Sequence, residues 1–304
     1  MKNVLVTGGS GFIGQALLKN LSSYYHVITL VREKLIDQSS IAIGEFGHNT
    51  DFSSVVNNVD IVVHLAARAH IVSHENNSLE LFRNTNAVAT INLAKSAAAS
   101  GVKRFVFISS IGVNGVQNNH PFRYFDTPKP VEDYAISKHE AEIGLKKVAE
   151  DTGMEVVIIR PPLVYGKNAP GNFGTLLKVA NKNLPLPLGA INNRRSFVSI
   201  DNLVDIIITC IDHPHAANQT FLVSDGEDIS TSNLLKKITL AAGKTPWLLP
   251  VPVSLLKFLA SLVGKKATVE RFSSSLTVDI EHTKKTLNWK PPITLDEGIR
   301  RCFK

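Results

Sequence analysis

Tyr134 and Lys138 bracket the segment Tyr134-Ala-Ile-Ser-Lys138, four residues apart in a stretch that reads as helix from Val131 to Asp151. That spacing puts both side chains on one helix face. An ammonium beside a phenol favours the phenolate and lowers its pKa. The pair can therefore exchange a proton with a substrate hydroxyl or carbonyl. Two serines, Ser109 and Ser110, end the apolar run Arg104-Phe-Val-Phe-Ile108 further upstream. A hydroxyl at that strand end can hydrogen-bond the same reacting oxygen. Taken alone, the Tyr–Lys spacing is common on helix surfaces, and its weight here comes from the serines before it.

A second group of residues supplies a partner for that proton. The run Val4-Leu-Val-Thr7 passes into Gly8-Gly-Ser-Gly11-Phe12-Ile13-Gly14 and then into Gln15-Ala-Leu-Leu18, giving strand, turn and helix in order. Gly8 and Gly11 allow positive φ and close backbone approach, and Gly14 lets the helix pack near the strand. The helix start at Phe12 and Ile13 presents free N–H groups and a positive dipole end to a pyrophosphate. The context fits a dinucleotide fold rather than an ordinary tight turn. With a nicotinamide dinucleotide bound there, hydride moves to or from the ring while Tyr134 handles the proton. An NAD site usually carries an acidic residue after the second strand. Here that strand ends Ile28-Thr-Leu-Val31-Arg32, and Arg32 can pair with a 2′-phosphate. The expectation is NADP(H), with NAD(H) as the other option.

These groups need a scaffold. Apolar runs of four to eight residues lie at 3–7, 26–31, 41–45, 60–65, 104–109 and 155–160, without polar alternation. They read as strands buried on both faces of a parallel sheet. Helical stretches at 14–22, 79–100 and 131–151 separate them. The alternation predicts an α/β, Rossmann-like doubly wound parallel sheet. Past Pro161-Pro162, which reads as a domain-crossing corner, the pattern breaks into Gly- and Pro-containing loops, with strand character again at 196–200 and 220–224. The expected division is a dinucleotide-binding domain of residues 1–165 and 196–225. A smaller, mostly C-terminal substrate domain takes residues 166–195 and 226–304.

The 304 residues carry a net charge of +7, with a pI near 9.3. Lys and Arg are scattered, which argues against nucleic acid and suits an anionic small molecule. Two cysteines and no Cys/His cluster of ligand spacing predict no metal and a cytoplasmic, reducing setting. No secretory leader or membrane-spanning run is read. Residues 252–264 place Leu255, Leu256, Leu259, Leu262 and Val263 near helical spacing ahead of Lys265-Lys266. Such a helix can lie on a membrane or pack against the substrate domain, and packing is the expected role.

The motifs taken together resemble the extended short-chain dehydrogenase/reductases, especially the branch similar to UDP-glucose 4-epimerase. Thr7–Gly14, His64-Leu-Ala-Ala67, Asn86-Ala-Val-Ala-Thr90, Ile108–Gly115, Tyr134–Lys138 and Arg160-Pro-Pro-Leu-Val-Tyr-Gly166 occur in that family's order. The match spans nearly the whole chain. The resemblance implies Tyr134 as acid/base and Lys138 as partner of the nicotinamide ribose. It implies Ser110 as the serine on the reacting oxygen, with Ser109 the other option. Gly8, Gly11, Phe12, Ile13, Gly14, Leu65, Ala66, Ala67 and Pro161 would line the cofactor, with Glu45 and Phe46 at the adenine. Arg195 would hold the substrate diphosphate, assisted by Asn172 and Arg271. A homodimer through the helices near 79–100 and 131–150 is the family default.

Two reactions share this set of residues. The first expectation, guided by Arg32, is reduction of a UDP-linked 4-keto-6-deoxy-hexosamine for surface polysaccharide synthesis. The alternative is 4-epimerisation of a UDP-hexose or UDP-N-acetylhexosamine, which needs a retained NAD. A 4,6-dehydratase fits less well, because Ile111 and Gly112 stand where that branch has an acid pair.

Overall fold

A computed structural model describes residues 1–33, 40–69, 77–262 and 264–304. Ten strands form two sheets: β1 (Asn3–Thr7), β2 (His26–Val31), β3 (Ser40–Ala42), β4 (Ile61–His64), β5 (Arg104–Ile108), β6 (Glu155–Arg160), β7 (Leu163–Tyr165), β8 (Arg195–Ser199), β9 (Thr220–Leu222) and β10 (Asp228–Ile229). The larger sheet has the order β3-β2-β1-β4-β5-β6-β9, with every pair parallel. Every residue of β4 and β5 is buried, as strands covered on both faces require.

Alternate residues serve opposite faces. Val4, Val6, Val106 and Ile108 pack toward α1 (Phe12–Leu21), whereas Leu5, Val62, Phe105 and Phe107 pack the other way. That second face is covered by a run made of α2 (Ser78–Phe82), a π-helical turn (Arg83–Val88) and α3 (Ala89–Ala99), together with α4 (Asp133–Thr152). The expected helix at 79–100 is thus one run interrupted by a π turn. The chain leaves β1 toward β2 and β3, then crosses back to β4 on β1's other side. Ligands bind at such a reversal, and Gly8–Gly14 and Leu65–Ala67 both open onto it.

The smaller sheet runs β10-β8-β7, with β10 antiparallel to β8. It packs with α5 (Gly171–Lys182) and α7 (Thr231–Ala241), while α6 (Ile200–Asp212) returns the chain to the large sheet beside α1. Four further helices follow: α8 (Val253–Leu262), α9 (Lys266–Ser273), α10 (Glu281–Leu287) and α11 (Leu295–Arg301).

Two expectations need correction. The strand at 196–200 does not join the large sheet, because β9 occupies the edge beside β6 and β8 pairs with β7 instead. The third strand is shorter than expected and ends at Ala42, ahead of Gly44 at φ +70°.

Candidate active site

The glycine turn divides its work unevenly. Gly8 adopts φ +73°, and a Cβ there would lie 2.7 Å from the Ala66 nitrogen. At Gly14 a Cβ would fall 2.2 Å from the Gly8 carbonyl oxygen, so any side chain would push α1 off β1. Gly11 departs from expectation: its φ is −76°, so it needs no left-handed freedom. It sits at the N-cap of α1, where no side chain caps the helix and the first turn carries no acidic residue. The leading N–H groups, at Phe12 and Ile13, face outward as an anion site. This cradle fits a dinucleotide pyrophosphate. Leu65 and Ala66 are half-buried and Ala67 exposed across the reversal from it.

The two loops are tied by a chain of hydrogen bonds that the sequence motifs do not announce. Ala66 N–H donates to Thr7 Oγ1 (3.1 Å), and Thr7 stands 2.7 Å from His64 Nδ1. His64 Nε2 is 2.8 Å from Thr90 Oγ1, which donates to the Asn86 carbonyl. One assignment satisfies every member: Thr7 donates to Nδ1, and Nε2–H donates to Thr90. Burial, followed by the nearby Lys138 charge, holds the His64 pKa well below its usual value and keeps the ring neutral. His64 is fully buried between Phe46 and Phe107, so it braces the cofactor side without lining it. Asn86 acts similarly, accepting from Arg68 N–H and donating to Arg68 O and Ser137 Oγ.

Tyr134 and Lys138 occupy one face of α4, at the C-terminal edge of β5. The Lys138 ammonium donates to Ile108 O (2.8 Å) and lies 4.4 Å from the Phe107 ring centroid and 6.0 Å from that of Tyr134. Burial pushes the Lys138 pKa down to about 7, partly opposed by Glu142. Burial also pushes the Tyr134 phenol up to about 12. The expected lowering of the phenol is therefore not present in the protein alone: desolvation dominates, and the ammonium points to Ile108.

The serine alternatives separate cleanly. Ser109 is buried and donates to Glu142 Oε1 (2.5 Å). Ser110 is half-exposed, and its Oγ accepts from Gly112 N–H. A Cβ on Gly112 would lie 3.1 Å from Ala135 Cβ and 3.3 Å from Ser110 Oγ, so the serine turn packs against the residue next to Tyr134. Ser110 is thus the serine open to a ligand. Glu142, which sequence reasoning missed, also accepts Arg160 Nε (2.9 Å) and Nη2 (2.5 Å), and Arg160 Nη1 donates to Asn114 Oδ1. The signal was available, because Tyr134, Lys138 and Glu142 repeat at i, i+4 and i+8.

Arg195 lies against α9, which carries Arg271. Arg195 Nη1 donates to Arg271 O (2.8 Å) and Ser274 O (3.3 Å). Burial and the charge of Arg271 lower the Arg195 pKa, so the two cations would both gain from an anion between them. Arg271 Nη2 in turn pairs with Glu132 (2.5 Å), the N-cap of α4, two residues before Tyr134. Arg194 points outward to Asp228. The side chain of Asn172 lies outside the described residues. Glu45 and Arg32 are exposed, and Phe46 packs on Phe52. Pro161 is buried and its carbonyl accepts Ile111 N–H, which fixes the serine turn.

Comparison with known proteins identifies relatives of the chain. The profile of the NAD dependent epimerase/dehydratase family matches residues 4–224. The chain is 48% identical to a UDP-glucose 4-epimerase from Vibrio cholerae, over 99% of this chain and 94% of that one. It is 26% identical, over the same shares of each, to an N-acetyl-alpha-D-glucosaminyl-diphospho-ditrans,octacis-undecaprenol 4-epimerase from Escherichia coli O157:H7. Among solved structures, a UDP-N-acetylglucosamine 4-epimerase from Bacillus cereus superposes with a TM-score of 0.82 at 20% identity, covering 100% of this chain and 96% of that one.

Proposed function

This chain belongs to the NAD dependent epimerase/dehydratase family, and from that premise we propose that it is a 4-epimerase of a UDP-linked hexose or N-acetylhexosamine. The observation that carries this reading is the full-length similarity to the UDP-glucose 4-epimerase. It favours epimerisation over the reduction of a 4-keto-6-deoxy sugar. The family's dependence is on NAD, so the expectation of NADP(H) from Arg32 gives way to NAD. Arg32 is then a solvent-facing residue at the end of β2.

Bound NAD supplies a hydride acceptor that returns the same hydride. In the forward half-reaction Tyr134 would take the O4 proton of the sugar. Burial keeps the resting phenol protonated, so the proton-accepting state needs positive charge beside it. Lys138, whose ammonium lies 6.0 Å from the Tyr134 ring centroid, would provide that charge. Ser110 donates to O4 as it becomes a carbonyl oxygen. In the return half-reaction Tyr134 would give the proton back to O4 of the epimeric sugar. With NAD bound, Phe12, Ile13 and the turn around Gly8 would hold its pyrophosphate.

The test is turnover without added cofactor. Purified protein should release NAD in near one-to-one ratio on denaturation, and it should interconvert UDP-glucose and UDP-galactose with no dinucleotide supplied. Strict dependence on added NADPH, with net consumption of it, would return the assignment to a reductase.

Arg195 is assigned the substrate diphosphate. A charge-assisted hydrogen bond is worth about 1.5–3 kcal/mol, so Arg195→Ala should raise KM for the sugar nucleotide about 10- to 100-fold. NAD content should stay normal. Arg194→Ala, whose side chain is 73% exposed, should change KM less than about twofold. Steady-state kinetics of the two variants decide it: equal effects would move the diphosphate to Arg271 and away from Arg195. A homodimer through α3 and α4 is proposed alongside, since Val88 and Ile143 leave apolar surface exposed at that helix pair.

A further inference from the structure

The helix α8 turns its most apolar side to solvent. Leu255, Phe258, Leu259 and Leu262 are 46%, 60%, 49% and 69% exposed. They stand at i, i+3, i+4 and i+7, which is a single helix face. The inward face is made by Leu256 and Ala260. The sequence reading named some of these leucines and expected packing, but three of them point away from the protein. Just ahead, Trp247 and Leu249 are 58% and 53% exposed on a short extended segment bridged to Leu186. Large apolar side chains gathered in the open on one helix face mark an interaction site.

Charge identifies the occupant. From Ile229 to Val269 the chain has no Asp or Glu, and Lys257, Lys265 and Lys266 lie on or just after α8, with Lys266 4.0 Å from Glu270. Lys265 and Lys266 follow α8 directly and are exposed. A second copy meeting this face isologously would set that lysine set against itself. An anionic bilayer would complement it, with apolar side chains among the acyl chains and lysines at the headgroups. No helix among the described residues is long and apolar enough to cross a membrane, so the contact is interfacial.

We propose that the α8 face docks the protein on an anionic lipid surface. The helix lies in the interface, with Phe258 and Leu262 inserted and Lys265 and Lys266 at the headgroups. It packs against α9, which carries Arg271. Docking therefore brings the unit that bears the proposed diphosphate site to the membrane surface.

Vesicle co-sedimentation of the purified full chain tests this. Vesicles of equimolar phosphatidylcholine and phosphatidylglycerol should retain at least about tenfold more protein than phosphatidylcholine alone, and added salt should weaken the difference. Phe258→Glu with Leu262→Glu should abolish retention, and Lys265→Glu with Lys266→Glu should remove the preference for the anionic lipid. Both double variants should keep wild-type turnover of soluble UDP-glucose and an unchanged Tm, because all four side chains lie on the surface. The milder Leu262→Gln should weaken retention in the same direction. Lack of retention on anionic vesicles would overturn the proposal. So would retention that survives both double variants. A concentration-dependent dimer that Phe258→Glu converts to monomer, with no vesicle binding, would instead make this face a contact between copies. Loss of lipid binding with intact epimerisation, or the reverse, separates this inference from the proposed function.

Discussion

Replacing Tyr134 by Phe is expected to lower kcat by about 10²–10⁴-fold, the usual worth of a positioned general acid–base group. The ring would still meet Phe82 edge-on at 6.0 Å, so fold and NAD content should be unaffected. The phenolic hydrogen and its acceptance by the substrate oxygen are all that is lost. Burial pushes the phenol up to about 12, so the proposed proton transfer would draw on the Lys138 charge. A variant retaining more than about a tenth of wild-type kcat, measured with NAD content matched, would remove Tyr134 from the proton path.

The largest expected loss of stability comes from Glu142. Its carboxylate is 1% exposed and receives Ser109 Oγ and two nitrogens of Arg160, itself 3% exposed. Glu142→Ala would leave the Arg160 guanidinium charged, buried and missing its counter-ion. Breaking one side of a buried pair costs about 3–5 kcal/mol, or roughly 5–15 °C in Tm for a chain of this size. Replacing both members with apolar residues, Glu142→Leu with Arg160→Met, should recover most of that loss, because the uncompensated charge is gone. Thermal melts of the single and double variants check this. A single variant within about 2 °C of wild type would mean that water reaches Arg160 and the pair is not a structural clamp.

What the sequence made legible follows from how far apart the interacting groups are. The Gly8–Gly14 turn and the Tyr134–Lys138 face are local, so periodicity and spacing reveal them directly. The parallel sheet was readable because doubly buried strands are continuously apolar. The brace running from Ala66 through Thr7, His64 and Thr90 to Asn86 joins positions up to 59 apart, and no local pattern marks it. Buried Asp225 was hidden for the same reason: it receives Tyr165 and Asn202 from two other elements and ties the small sheet to α6. The direction of the Tyr134 shift was misjudged because desolvation depends on what covers the ring, and a helix face alone does not disclose that.

The π turn at Arg83–Val88 bears on how this gene can change. It packs one residue more than a regular α-helix would into the run between α2 and α3. That arrangement lets Asn86 reach both Arg68 and Ser137 while Phe82 meets Tyr134 and Arg83 meets Glu140. Removing one codon here would relax the turn to α-helix at nearly the same total rotation, so α2 and α3 would keep their faces while the residues between them shift by one position. Ser78 and Phe82 could then stay on α4, and the contacts at risk are those made from within the turn, Asn86 to Arg68 and Ser137. The extra residue thus serves the Asn86 bridge rather than the helices on either side, and that bridge is what a deletion in the turn would cost.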